Sequence, residues 1–140
     1  MKKEATDEGK ESMPKGFLRE ELPCMPDSSE FATVADLFKL LADSSRIKIF
    51  WILCHWEESV TNLSARAGMT SPAVSLHLKY LKASQLIISR RLGKEVLYRT
   101  AETPLACMVH HMIKTVLSLT CPGQHCQYED CIYTDQCAAP

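Results

Sequence analysis

The 140-residue sequence contains no run of about 18 apolar residues, so no transmembrane helix is expected. No apolar stretch follows the lysines near its start, so we expect no secretory signal and no membrane contact. A C-x-x-C redox motif, a glycine-rich phosphate loop and paired carboxylates in a plausible pocket are also missing, which argues against an enzyme. We therefore expect a cytoplasmic protein that is not an enzyme.

The net charge is only −1, but the charged side chains are unevenly distributed. Residues 1–30 carry 8 acids and 5 bases, and residues 100–140 carry 4 acids and 1 base, so each end has a net charge of −3. Between them, residues 71–99 carry 6 bases and 1 acid, a net charge of +5. A basic block between acidic ends is typical of a local phosphate-binding surface.

The sequence contains seven cysteines, an odd number. Because no secretory signal is expected, most of them are expected to be reduced thiols. Cys107 lies in the last predicted helix and is expected to pack in the core. Four others lie within the last 20 residues: Cys121, Cys126, Cys131 and Cys137. Their spacing differs from the C-x2-C pattern of a zinc ribbon, so an unstructured thiol-rich end is the alternative to a metal site.

Composition divides the chain into three parts. Residues 1–28 are rich in Lys, Glu, Ser and Pro and predict a flexible leader. Residues 29–121 carry regular apolar patterns and predict one folded domain. Residues 122–140 have no clear periodicity and form the cysteine-rich tail.

The first half of the domain predicts two helices. Apolar residues at helical spacing indicate a helix from Glu30, with Ser28 or Ser29 as its N-cap. A second helix, SSRIKIFWILCHW, is predicted to be capped by Asp43.

The next segment predicts a helix-turn-helix. A short helix, SVTNLSARA, is closed by Gly68. A fourth helix, PAVSLHLKYLKAS, is predicted to have Ser71 as its N-cap and Pro72 as its first residue. Two helices joined by a short turn that contains glycine are typical of a DNA-binding helix-turn-helix.

Two β-rich runs follow, LIISRR and EVLYRT, joined by Leu92-Gly93-Lys94. They predict a hairpin with a basic tip, that is, a wing. A last helix is expected from about Thr103 or Pro104 to Leu119. The fold class is therefore mainly α with a small β-hairpin, a winged helix-turn-helix in the order α-α-α-α-β-β-α.

This arrangement indicates double-stranded DNA as the partner. Ser71 and Ser75 are small hydrogen-bonding residues at the leading end of the fourth helix, which in a helix-turn-helix enters the major groove. His77 can reach a phosphate or a base edge. Five cations can neutralise phosphates: Lys79, Lys82, Arg90, Arg91 and Lys94. The alternative is that these cations only contact solvent, as most exposed Lys and Arg side chains do.

Residues from about 31 to 121 resemble the ArsR/SmtB family of winged-helix repressors. The supporting stretches are LFKLLADSSRIKIFWIL, LSARAGMTSPAVSLHLKYLKASQLI and RRLGKEVLYR. The resemblance implies a homodimer, joined through the first and last helices, that represses an operon from an imperfect inverted repeat. It also implies groove contacts at Ser71, Ser75, Leu76 and His77. Leu76 departs from the family, in which this position is often polar.

Two metal sites recur in this family, and neither matches here. One uses cysteines at the start of the third helix, where this sequence has Ser59-Val60-Thr61-Asn62. The other uses carboxylates and histidines around the last helix. The positions that correspond to it hold Glu102, Pro104, Thr115 and Ser118. Zinc prefers four N or S ligands, so neither site is expected to hold it.

Two cysteines resemble those of the family branch that senses persulfides or oxidants. Cys54 in the second helix and Cys121 after the last helix occupy the implied places, and Cys126 and Cys131 could add ligands. Such thiols can be bridged, or can bind Zn²⁺, Cd²⁺, Pb²⁺, Cu(I) or As(III). Core packing is the alternative for Cys54. A regulator with no sensor and a winged-helix module that binds proteins remain the alternative functions.

Overall fold

The structure is a computed structural model, and it describes residues 25–120. The predicted tail, most of the predicted leader, and Cys121, Cys126, Cys131 and Cys137 lie outside the described residues. Within residues 25–120 the elements are α1 (Ser28–Leu41), α2 (Ser44–His55), β1 (Glu58–Ser59), α3 (Val60–Ala67), α4 (Ser71–Ala83), β2 (Ile87–Leu92), β3 (Glu95–Thr100) and α5 (Pro104–Thr120). The predicted order is confirmed, with β1 as an additional short strand.

The starts of α1 and α2 are both fixed by aspartates. Asp27, not Ser28 or Ser29, caps α1, because its carboxylate accepts hydrogen bonds from the backbone N–H groups of Ser29 and Glu30. Glu30 accepts a bond of 2.7 Å from the Asp27 N–H in return, which completes a capping box. The helix therefore begins earlier than predicted. Asp43 caps α2 as predicted.

The helix-turn-helix is formed by α3, its glycine turn and α4. Gly68 has a φ of 69°, the left-handed conformation that ends α3 as predicted. Thr70, not Ser71, is the N-cap of α4, and its hydroxyl accepts a 3.4 Å hydrogen bond from the Ala73 N–H. Thr70 has extended backbone angles, so Ser71 becomes the first helical residue and Pro72 the second.

The wing is an antiparallel sheet in the strand order β1-β3-β2. β2 and β3 pair from Ile87 opposite Thr100 to Leu92 opposite Glu95, with Gly93 in the turn at a φ of 62°. β1 pairs with the other edge of β3. With α3 and α4, this sheet completes the predicted winged helix-turn-helix.

The hydrophobic core lies around α2 and joins it to every later helix. Its fully buried side chains come from α2, α3, α4, the turn before β2, the start of β2 and α5: Ile49, Phe50, Leu53, Leu63, Val74, Leu78, Leu81, Leu86, Ile87 and Val109. In contrast, α1 exposes three large apolar side chains, Phe31, Val34 and Phe38. None of the helices within residues 25–120 is both long and apolar enough to cross a bilayer.

Candidate nucleic-acid interface

One face of α4 packs in the core and the opposite face is exposed. Val74, Leu78 and Leu81 are buried. The solvent side presents Ser71, Pro72, Ser75, Leu76, Lys79 and Tyr80. Three of the predicted groove-contacting residues, Ser71, Ser75 and Leu76, therefore lie on the outer face of the second helix of the helix-turn-helix.

Three polar contacts connect α4 and its neighbouring elements, two of them made by α4 itself. The Ser71 hydroxyl lies 3.2 Å from that of Ser64 in α3, and Lys48 of α2 donates a 2.9 Å hydrogen bond to the Ala67 carbonyl at the end of α3. At the other end of α4, Lys82 donates a 2.7 Å hydrogen bond to the Ser89 hydroxyl in β2. These bonds join α3, α4 and the wing, so the outer face of α4 is held at a set orientation to the hairpin.

His77 takes a different position from its two neighbours, Ser75 and Leu76. It is half-buried, and within residues 25–120 its Nδ1 atom is buried without a hydrogen bond. The pKa of Asp43 lies below its usual value, first because the Arg46 backbone N–H donates to it and also because His77 is electrostatically close. His77 is therefore electrostatically close to Asp43, the N-cap of α2, and its predicted DNA contact stays a prediction.

Arg90 is engaged in an ion pair that the sequence analysis did not anticipate. Its Nε and Nη2 atoms donate hydrogen bonds of 2.6 Å each to the two carboxylate oxygens of Glu57. These bonds lower the pKa of the Glu57 carboxyl and raise that of the Arg90 guanidinium. Glu57 is 33 residues away and precedes β1, so the two come together because β1 and β2 both pair with β3.

Arg91 and Lys94 remain exposed at the hairpin tip. Successive strand residues point to opposite faces, so Arg91 lies on the face opposite Arg90, on the side of Ser89. The Arg91 Nε atom donates a 3.3 Å hydrogen bond to the Gly93 carbonyl. Within residues 25–120, no ion pair involves Lys79, Lys82, Arg91 or Lys94. These cations are therefore available to phosphates.

The two described cysteines, Cys54 and Cys107, have different surroundings. Cys54 is only 1% exposed, and its sulfur accepts a 3.3 Å hydrogen bond from the Thr100 hydroxyl. It belongs to the hydrophobic core, the alternative considered for it. Cys107 is half-buried on α5 and disulfide-bonded, so the expectation of simple core packing is wrong for it. Its position in a helix gave no signal of a bonding partner.

The two family metal positions do not fit a metal ion. Ser59 caps α3, and the Asn62 amide donates to Glu58. Glu102 accepts a 2.7 Å hydrogen bond from Arg99, while the Thr115 and Ser118 hydroxyls donate to backbone carbonyls of α5. Residues 25–120 contain no group of three or more His, Cys, Asp or Glu side chains that could hold a metal.

Comparison with known proteins agrees with this geometry. The family model described as "Bacterial regulatory protein, arsR family" matches residues 43–89, which include α2, α3, α4 and the start of the wing. A Streptomyces lividans protein named "Probable mercury resistance operon repressor" is 32% identical over 90 residues, which cover 64% of this chain and 68% of that protein. The chain belongs to the arsR family of bacterial regulatory proteins.

Two further proteins are similar to this chain in sequence or in structure. The transcriptional regulator KmtR of Mycobacterium tuberculosis is 36% identical over 75 residues, 54% of this chain and 57% of its own length. The solution structure of Mb0332 from Mycobacterium bovis, a homodimeric winged helix-turn-helix DNA-binding domain, aligns with a TM-score of 0.60 at 26% identity. The alignment covers 70% of this chain and 91% of the Mb0332 chain. The relatives are transcriptional regulators, so the prediction that this chain is not an enzyme is confirmed at the level of the family.

Proposed function

We propose that this chain is a sequence-specific transcriptional repressor that binds double-stranded DNA in the cytoplasm. The observation that carries the proposal is the exposed outer face of α4 beside a set of cations without ion pairs in the described part of the chain. Ser75 and Leu76 would face base edges, while Lys79, Lys82, Arg91 and Lys94 would neutralise phosphates. The family membership supports the same function.

The proposed repressor acts as a homodimer on an imperfect inverted repeat. α1 exposes Phe31, Val34 and Phe38, and α5 exposes Met108, Val116 and Leu119. A small domain rarely leaves so much apolar surface in contact with water unless another molecule covers it. Two-fold symmetry would place two copies of α4 on successive turns of a palindromic site.

Duplex binding is the direct test of this proposal. The full chain is titrated into a labelled duplex of its own upstream region at several salt concentrations, and retardation and anisotropy are measured. We expect specific binding whose affinity falls steeply with salt, because each phosphate contact releases counterions. Absence of binding at about 50 mM salt would contradict the proposal and favour a protein-binding module.

We further propose that the inducer acts on cysteine thiols. Cys54 lies at the end of α2, and Cys121 follows α5 directly in the sequence. A thiophilic ion could bind such thiols, or an oxidant could remove two electrons and two protons from a pair of them to leave a disulfide. Either event would alter how α5 packs on α2. Release requires the inducer to favour the DNA-incompetent arrangement by about 1–3 kcal/mol or more.

The thiol proposal is tested by single substitutions in the full chain. Cys54→Ser and Cys121→Ser are each expected to bind the duplex normally but to resist release by Cd²⁺ or by the thiol oxidant diamide. Cys54→Ala is the comparison variant that separates loss of the thiol from burial of a hydroxyl in the core. Release that persists in both the Cys54 and Cys121 variants would exclude this pair as the sensor.

A further inference from the structure

The exposed face of α4 carries an apolar row along its centre. Pro72, Leu76 and Tyr80 follow one another at intervals of four residues, a spacing that places them on the same side of a helix. All three are exposed, and the Leu76 side chain retains 51% of its accessible surface. Tyr80 is held from one side by Arg46 of α2, whose guanidinium carbon lies 4.9 Å from the ring centre.

Few polar side chains compete with Leu76 for a base edge. The Ser71 hydroxyl is already paired with that of Ser64, and His77 is half-buried. Ser75 remains, but a serine hydroxyl both donates and accepts and so bonds to any base. Lys79 lies on the same exposed side but is assigned to a phosphate, so the hydrogen bonds left to this face of α4 offer little discrimination between bases.

We propose that Leu76 reads the C5-methyl group of thymine, so that the preferred half-site carries a thymine at one fixed position. The inference rests on the proposed function, in which this face of α4 enters the major groove. Thymine alone among the four bases presents a methyl group there. Against guanine or adenine, the leucine would cover hydrogen-bond acceptors without bonding to them, which is unfavourable. Selectivity for thymine therefore comes both from contact with its methyl group and from the unfavourable burial of acceptors on guanine or adenine.

Replacement of thymine by deoxyuridine tests this directly, because it removes the methyl group and leaves the pairing and the hydrogen-bonding edge unchanged. A binding site is first selected from randomised duplexes with the full chain, and each thymine is then replaced singly. At one position in each half-site, we expect the Kd of the wild-type protein to rise about fourfold, the effect of one buried methyl-sized group. The Leu76→Ala variant should show no difference at that position.

Leu92→Ala is the matched control, because Leu92 is a leucine of similar exposure, 55%, on the wing. It should keep the deoxyuridine penalty. Since both leucines are exposed, both variants should fold, which circular dichroism checks. A selected site without thymine, a wild-type protein indifferent to every replacement, or an unchanged penalty in Leu76→Ala would each overturn the proposal. If no duplex is retained at all, the proposed function itself fails, and the inference fails with it.

Discussion

At the scale of single residues, two adjacent arginines of the wing have different surroundings. Arg90 donates two hydrogen bonds to Glu57, whereas Arg91 contacts only a turn carbonyl among the described residues. A guanidinium held in a bidentate pair must break that pair before it can bind a phosphate in the same way. The two side chains therefore contribute differently to DNA binding, although the sequence alone makes them equivalent.

Substitution of each arginine by alanine separates these roles. Arg91→Ala should weaken binding to all duplexes and flatten the plot of log affinity against log salt by about one unit for each lost phosphate contact, or about two for a dimer. Arg90→Ala should leave that slope nearly unchanged, because its charge is already compensated by Glu57. Anisotropy titrations over a range of salt concentrations measure both. Equal slope changes for the two variants would contradict the assignment.

At the scale of elements, local signals were sufficient for most of the fold. The helical patterns, the Asp43 cap and Gly68 predicted α2 and α3, and alternating β-branched residues predicted the hairpin. The N-cap of α4 was misplaced by one residue, because Thr70 and Ser71 are both good caps and only the backbone angles distinguish them. β1 and the Glu57–Arg90 pair depend on contacts between segments distant in the chain, which no local pattern contains.

The packing of α5 on α2 includes two close imidazoles. His110 of α5 is 7% exposed, and its ring centre lies 5.4 Å from that of His55 and 5.1 Å from that of Trp51. Burial, and then the neighbouring His55, Lys114 and His111, lower the pKa of His110 to about 4. Burial also lowers the pKa of His55. Both rings are therefore neutral at pH 7 in the folded protein.

We expect this packing to weaken in mild acid. In the unfolded chain His110 takes up a proton near pH 6.5, but in the folded protein only near pH 4, so the unfolded state binds more protons between these values. The free energy of unfolding should be unaffected by His110 above about pH 6.5 and should fall by about 1 kcal/mol per pH unit below it. Urea unfolding at pH 7, 6 and 5 measures this.

His110→Gln tests whether this residue is the cause. The variant should lose much of the pH dependence between pH 6.5 and 5, while His111→Gln, on the exposed side of the same helix, should retain it. An unchanged pH dependence in His110→Gln would show that other groups control stability in this range.

At the scale of the whole molecule, the core and the apolar surface lie on different parts of the domain. The core joins α2 to the helix-turn-helix and to α5, whereas α1 contributes Leu41 to it and leaves Phe31, Val34 and Phe38 exposed. Family resemblance suggested a dimer through the first and last helices, and the exposed faces agree with that arrangement. The bonds that would form between two copies could not be predicted, because they depend on how two surfaces fit.

Phe38→Glu tests the proposed dimer. Phe38 is 56% exposed on α1, so a charge there should leave the domain folded but prevent association through this face. Sedimentation equilibrium should give twice 15.8 kDa for the wild-type chain and the single mass for the variant, with duplex affinity lost in parallel. Leu92→Glu, a change of the same kind on the wing, should keep the double mass. If the Phe38→Glu variant also has the double mass, the dimer interface does not include this face of α1.

The bonds from Ser64 to Ser71 and from Lys82 to Ser89 have a consequence for regulation. Because they connect α4 to α3 and to the wing, we expect these three segments to move as one unit within each half of the proposed dimer. An effector would then change the separation between the two halves and leave each half's own base preferences intact. We therefore expect the induced form to bind operators in which the spacer between the half-sites is longer or shorter. The base sequence recognised in each half-site should remain the same.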